Sequence, residues 1–225
     1  MDSSAAAHTS DGDAESPDGR LRRGARSRKS VTRRAVDIAS AEGLYGLSFG
    51  RLADELDLSK AGIQTLFRTK EQLQLATVEE AGLVFLDAVL RPGFEAPAGA
   101  ARVRSLVEHW LAYAAEPLLP GGCFWTANLA DFDSRPGPVR DALARQRQEW
   151  VAVLARELRT AVEQHEIADL DPDLAAFQID AVLNAANISL RLGNPGSVPM
   201  VQRVVDGLLA PPATRRRAQR TSKTR

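Results

Sequence analysis

The sequence predicts an all-α protein of about nine helices, and three observations carry that prediction. Apolar residues recur at three- and four-residue spacing from Val31 nearly to the C-terminal region. No segment alternates apolar and polar residues between turn signals, so no strand is expected. Clusters of breakers, "RPGFEAPAGA", "PLLPGG", "SRPGP" and "GNPG", cut the chain into pieces of helical length.

The first helix carries Val31, Ala35, Ile38 and Ala39 on one stripe and ends at Gly43. Ser48 is an N-cap for a second helix with Phe49, Leu52, Ala53 and Leu56 inward. Ser59 caps a third, with Ile63, Leu66 and Phe67 available for burial. A longer helix from Lys70 runs through Leu73, Val78, Leu83 and Leu86 to Leu90, where Pro92 and Gly93 stop it. Helices follow over roughly 101–116, 123–133 and 139–166, the last with Leu143, Trp150, Val153, Leu154, Leu158 and Ala161 at helical spacing. Asp171 as N-cap and Pro172 at the first helical position open the next, which runs to about Leu192. A helix over about 198–209 precedes a basic tail.

Helices two and three decide the function class. A short amphipathic helix, a tight connection "DLS" and a second short helix form a helix-turn-helix, in which the second helix enters the major groove of DNA. Ala53 stands where the two helices cross, and Asp57 must make the turn, a position where positive φ is tolerated by few residues besides Gly. The third helix has an unusually bare polar side, with Gly62 inside it and only Lys60, Gln64 and Thr65 projecting.

Residues 32–73, "TRRAVDIASAEGLYGLSFGRLADELDLSKAGIQTLFRTKEQL", resemble the DNA-binding domain of the tetracycline-repressor (TetR) family. The matching pattern is "A..IASAEGL.GLSF..LADEL.LSK..I...F..KEQL". The resemblance implies a homodimeric transcriptional regulator, usually a repressor, whose larger helical domain binds a small effector. Carried over by position, Ser48, Arg51 and Lys70 would meet phosphates, while Ser59, Lys60, Ala61, Gly62, Gln64 and Thr65 would face the groove. Lys reaches guanine O6 or N7 and Gln pairs with adenine, so those residue types suit the task. Gln64 stands where the family typically has an aromatic residue, Gly62 where Thr is common, and Leu66 where a polar or aromatic residue is frequent.

Charge is segregated. The net charge is zero, yet residues 1–19 hold five acids and no Lys or Arg, and residues 20–34 hold eight basic residues and no acid. The tail 211–225 adds six basic residues, which leaves 15 basic against 24 acidic residues in 35–210. Arg26, Arg28 and Lys29, just ahead of the first helix, are expected to reach phosphates or an adjacent minor groove. The expected organisation is a disordered arm over 1–26, acidic and then basic, a helix-turn-helix DNA-binding domain over 27–73, an effector-binding and dimerisation domain over 74–210, and a disordered basic tail over 211–225.

Catalysis finds little support. The three His are dispersed, Cys123 is the single cysteine, and no nucleophile elbow, metal-binding pair or phosphate-binding Gly loop occurs. Cys123 reads as a buried inert thiol, with redox sensing as the minor alternative. No cofactor and no metal are expected, nor any membrane partner, because no apolar run reaches the ~20 residues a span requires. The N-terminal residues have no apolar core segment of a secretory signal, so a cytoplasmic location is expected.

Within the larger domain, Trp110, Tyr113, Phe124, Trp125, Phe132 and Trp150 gather on helices five to seven, with Asn128 among them. They are candidates for an effector pocket suited to an apolar or aromatic molecule. Ala175, Ile179, Val182, Leu183, Ala186 and Leu190 form one stripe on the eighth helix, with Val201, Val204, Val205 and Leu208 on the ninth. Two such helices per chain suit a four-helix dimer interface. The partners so implied are a double-stranded DNA operator, a small-molecule effector and a second copy of the chain. The alternative is a small-molecule-binding or interaction protein of the same fold without specific DNA binding.

Overall fold

Helix α1 spans Pro17–Glu42, longer than the apolar stripe beginning at Val31 requires. The computed structural model describes residues 17–115 and 118–212, with side chains from Gly24 onward. Residues 1–16 and 213–225, which contain the expected acidic segment and nearly all of the basic tail, lie outside the described residues. Residues 17–26 of the expected disordered arm are described, and they are helical, continuous with the rest of α1. Arg, Leu and Ala are strong helix formers, and no proline follows Pro17 to interrupt the helix once α1 is nucleated downstream.

Helix α1 ends at Gly43 with φ of 76°, and a 3₁₀ turn, Leu44–Gly46, leads to α2, Phe49–Leu56, and α3, Lys60–Phe67. Ser48 and Ser59 cap these as expected, their Oγ atoms accepting from the Arg51 and Gly62 amides at 3.1 and 3.0 Å. Asp57 takes the left-handed conformation, φ 52°, and the Leu58 amide donates back to the Ala53 carbonyl at 3.0 Å. Leu52, Ala53, Ile63 and Phe67 are buried in one core with Val31 and Ala35 of α1, on which both helices pack. Burial of side chains like Ile63 and Phe67 stabilises by about 1.5–3 kcal/mol each. Phe67→Ala would remove the largest of the side chains that dock α3.

Helix α4 spans Lys70–Phe85, capped by Thr69, and passes into a π-helical segment, Leu86–Leu90, and a last turn, Arg91–Gly93. The sequence expects the helix to stop at Leu90. Pro92 cannot donate to the carbonyl four residues back, and the wider π turn carries the chain past it. Leu83, expected inward, is exposed, while Thr77, Val78, Ala81, Phe85 and Val89 are buried. This central helix packs on α1 from one side and on the larger domain from the other.

The remaining helices are α5 (Ala100–Ala115), α6 (Phe124–Phe132), α7 (Pro138–Glu163), α8 (Pro172–Arg191) and α9 (Ser197–Leu208). Among the described residues there are nine such helices and no strand. Asp171 caps α8 through both the Asp173 and Leu174 amides, with Pro172 at the start, as the sequence signals. Aromatic packing ties the larger domain together: Phe85 meets Tyr113, Trp125 and Trp150 edge-on at 5.6, 5.1 and 5.3 Å. Such pairs contribute about 0.5–1.5 kcal/mol beyond their burial.

The join to the helix-turn-helix is equally specific. The loop before α6 lies so close to α1 that a Cβ at Gly121 would fall 1.7 Å from the Ser40 carbonyl oxygen. The Gly121 amide donates to Ser40 Oγ at 3.0 Å.

Candidate functional site

On α3 the residues Ser59, Lys60, Ala61, Gly62, Gln64 and Thr65 are all exposed, while Ile63 and Phe67 hold the helix from behind. Thr65 Oγ1 donates to the Ala61 carbonyl at 2.9 Å. A Cβ at Gly62 would sit 2.9 Å from Ser59 Oγ, so the glycine also leaves room for the cap. Lys60 and Lys70 line one cleft of about 290 Å³ with Ser48, Phe49 and Gly50, at the N-terminus of α2. Two ammonium groups beside a helix N-terminus suit an anion such as a phosphate. Lys70 Nζ is held there by the Tyr45 carbonyl at 2.9 Å.

Two residues expected on DNA have other partners. Arg28 Nη1 donates to the Leu66 carbonyl at 2.7 Å, and its guanidinium lies 4.5 Å from the centre of the Phe67 ring. A cation there meets the negative end of the α3 dipole, so Arg28 fixes the recognition helix. Lys29 remains exposed. Arg51 donates through Nε to Glu55 at 3.0 Å and through Nη2 to Glu42 at 2.6 Å. Hydrogen bonds from Arg51 hold both carboxyls below the usual carboxylate range, and the pairing raises the arginine in turn. A phosphate would have to displace those carboxylates.

In the larger domain, a cavity of about 40 Å³ is lined by Phe85, Trp110, Cys123, Trp125, Leu129, Gln146, Arg147, Trp150, Asp180 and Asn184. The three expected tryptophans meet there. Arg147 and Asp180 close one side as an ion pair, with Nη2 donating to Oδ2 at 2.6 Å. On the other side, Phe85, Trp125, Gln146 and Trp150 continue into a groove of about 430 Å³ between α4 and α7. Burial pushes the Cys123 thiol up, so it stays protonated at neutral pH.

Four residues expected in the pocket are not in its lining. Phe124 is fully buried packing. The Tyr113 hydroxyl accepts from the Phe124 amide at 3.2 Å, and burial drives its pKa well up. Phe132 faces away, stacked on Tyr45 at 5.0 Å and lining an outer groove. Asn128 spends its amide on backbone: Oδ1 accepts from the Leu44 amide at 2.7 Å, and Nδ2 donates to the Ala39 and Phe124 carbonyls at 3.1 and 2.7 Å. Gln74 of α4 donates to the Leu44 carbonyl at 3.0 Å. Helices α4 and α6 thus grip both ends of one buried residue at the foot of the helix-turn-helix. The other faces of the same helices supply Phe85, Trp125 and Leu129 to the cavity.

Of the stripe expected as dimer surface, Val204 is exposed and most of the other residues are covered. Ala175, Ile179, Leu183, Ala186, Val201 and Val205 are buried within the single chain, although Ala186 and Val201 also border an outer groove with Met200 and Val204. Val182, Leu190 and Leu208 are half-buried. The apolar residues left outside on α8 and α9 are Leu174, Phe177, Ile188, Met200 and Val204, with Leu192 just past α8. Both stripes are apolar, and α7 and α9 cover the one with the small residues.

An all-helical chain with an exposed, capped second helix in a helix-turn-helix and a larger helical domain behind it has the architecture of a helix-turn-helix transcriptional regulator. Residues 99–204 match the family described as tetracyclin repressor-like, C-terminal domain. That C-terminal domain spans somewhat under half of the chain, and the helical fold around it is that of TetR regulators. The chain is similar in structure to a TetR transcriptional regulator from Chloroflexus aurantiacus, with 22% identity over 82% of this chain and 94% of the other, at a TM-score of 0.75. It is also similar to AibR in complex with isovaleryl coenzyme A and operator DNA, with 19% identity over 82% and 98% of the two chains, at 0.67. A third relative is a regulator from Saccharomonospora viridis in complex with choline, with 22% identity over 81% and 95%, at 0.69. No curated protein matches the chain. Among the described residues, no helix is long and apolar enough to cross a membrane.

Proposed function

We propose that the chain is a homodimeric repressor that binds a palindromic operator through α3 and leaves it when a small apolar or aromatic effector enters the larger domain. The observation that carries this reading is the α3 face, whose exposed Lys60, Gln64 and Thr65 stand next to the Lys60–Lys70 cleft. The bases are read by α3, and the backbone seats in the cleft. Operator DNA bound to AibR, and ligands bound to AibR and to the S. viridis protein, support both halves of the reading.

The effector acts by changing packing. A cavity of about 40 Å³ is far below the ~300 Å³ of an ordinary ligand pocket, so a ligand must part Phe85 on α4 from Trp125 and Leu129 on α6. Those helices hold Leu44 through Gln74 and Asn128, and their displacement re-aims the helix-turn-helix. Two sites then share one coupling free energy. Dimerisation uses the outer face of α8 and α9, where Phe177, Ile188 and Met200 are exposed. Cytoplasmic placement follows from the operator as partner.

A module without DNA binding is favoured by one observation, the neutralisation of Arg51 by Glu42 and Glu55. Selection of bound sequences from a random DNA pool separates the two. A repressor enriches a palindrome whose half-sites are one or two helical turns apart; a binding module enriches no sequence.

A further inference from the structure

The buried cavity specifies hydrogen-bonding chemistry as well as shape. Trp125 and Trp150 are 9% and 7% exposed. Their indole Nε1–H groups, together with Gln146 Oε1, have no hydrogen-bond partner among the described residues. All three side chains line the one cavity. The two indoles flank a common ring, meeting Phe85 edge-on at 5.1 and 5.3 Å. Gln146 precedes Trp150 by one turn, on the same face of α7. Its amide orientation is set by Nε2, which donates to the Val78 carbonyl at 3.3 Å and leaves Oε1 as the free atom. Buried polar atoms left without a partner are uncommon, and three in one cavity point to a ligand.

Two donors and one acceptor require a group that accepts twice and donates once. A hydroxyl oxygen does so; an ether lacks the proton, a carboxylate lacks the donor, and an ammonium has no lone pair to offer. The rest of the ligand meets aromatic surface, since Phe85, Trp125 and Trp150 also border the groove of about 430 Å³. Leu83, Leu86, Leu90 and Val153 line that groove, its charged residues are Glu79 and Glu149, and no Lys or Arg borders it. Such a mouth disfavours an anion.

We propose that the effector is an uncharged phenol. Its oxygen accepts from the Trp125 and Trp150 indoles, its O–H donates to Gln146 Oε1, and an apolar extension from the ring lies in the groove. This deepens the reading of the cavity as the effector site and rests on it.

The chain's three tryptophans all line the cavity, so intrinsic fluorescence of the full chain reports on it directly. Three probes with the same body are titrated at pH 7: 4-propylphenol, 4-propylanisole and 4-propylbenzoate. The phenol gives a saturable response, the ether binds about tenfold more weakly because Gln146 stays unpaired, and the benzoate does not bind. Gln146→Leu, checked for native helicity, brings the phenol-to-ether affinity ratio towards one, whereas Trp150→Phe, checked likewise, weakens phenol and ether together and leaves the ratio in place. Equal affinities for phenol and ether in the unmodified chain, or tighter binding of the benzoate, overturn the hydroxyl assignment while leaving the cavity a ligand site. No response to any probe, with operator binding intact, overturns the effector reading itself.

Discussion

Asn128→Ala is the sharpest perturbation of the joint between the two domains. The Leu44 amide, fully buried, loses its acceptor at 2.7 Å. The Ala39 carbonyl loses Nδ2 but keeps the Gly43 amide at 3.1 Å, so the damage concentrates on one orphaned N–H. That costs about 1–3 kcal/mol, and the void left by the amide adds on the order of 1 kcal/mol. For a chain of this size, each kcal/mol moves the melting temperature by about 2–4 °C, so a fall of roughly 5–15 °C is expected. Gln74→Leu is milder, because the Leu44 carbonyl also accepts from the Leu47 amide at 3.4 Å. Thermal unfolding by circular dichroism measures both. Operator affinity by fluorescence anisotropy, with and without effector, measures coupling, which should drop to less than about twofold in Asn128→Ala from the 5–150-fold usual of such switches. A variant that melts within 1 °C (roughly 0.3–0.5 kcal/mol) of the unmodified chain and keeps its full effector response would refute the reasoning.

Three other changes follow from the same geometry. Lys70→Ala should weaken operator binding at every sequence and reduce the salt slope of log K by about 0.9, read from anisotropy over a salt series. Gly121→Ala should unfold or strongly destabilise the chain, since its Cβ would fall 1.7 Å from backbone that cannot move aside, and a soluble variant with native melting would contradict the packing. Burial holds Cys123 and Tyr113 protonated when folded, above their ordinary values of 9.0 and 10.0. The unfolded chain loses those protons first as pH rises, so stability is retained at neutral pH and falls above about pH 9. Denaturation midpoints from pH 7 to 11 check this, and iodoacetamide at pH 8 should label Cys123 only in denaturant.

The helices were legible because their signals are local. Ser48, Ser59 and Asp171 each cap within three residues, and Asp57 turns on its own φ. The exposed face of α3 was legible for the same reason, since two apolar residues, Ile63 and Phe67, fix which side is hidden. Long-range pairing was not. Asn128 sits among aromatics like a ligand-binding residue, but its partner Leu44 lies 84 positions away. Periodicity on α8 likewise finds two apolar stripes and cannot say which one the chain itself covers. Arg28 looked like a free arm because its carbonyl partner belongs to Leu66, which no local pattern links to it.

The central claim is that α3 reads bases, and selection from a random DNA pool with the unmodified chain and with Gln64→Ala tests it most directly. The variant is expected to enrich the same palindrome but to lose preference at one position in each half-site, mirrored about the centre. Identical base preferences from both proteins, at every position, would contradict it.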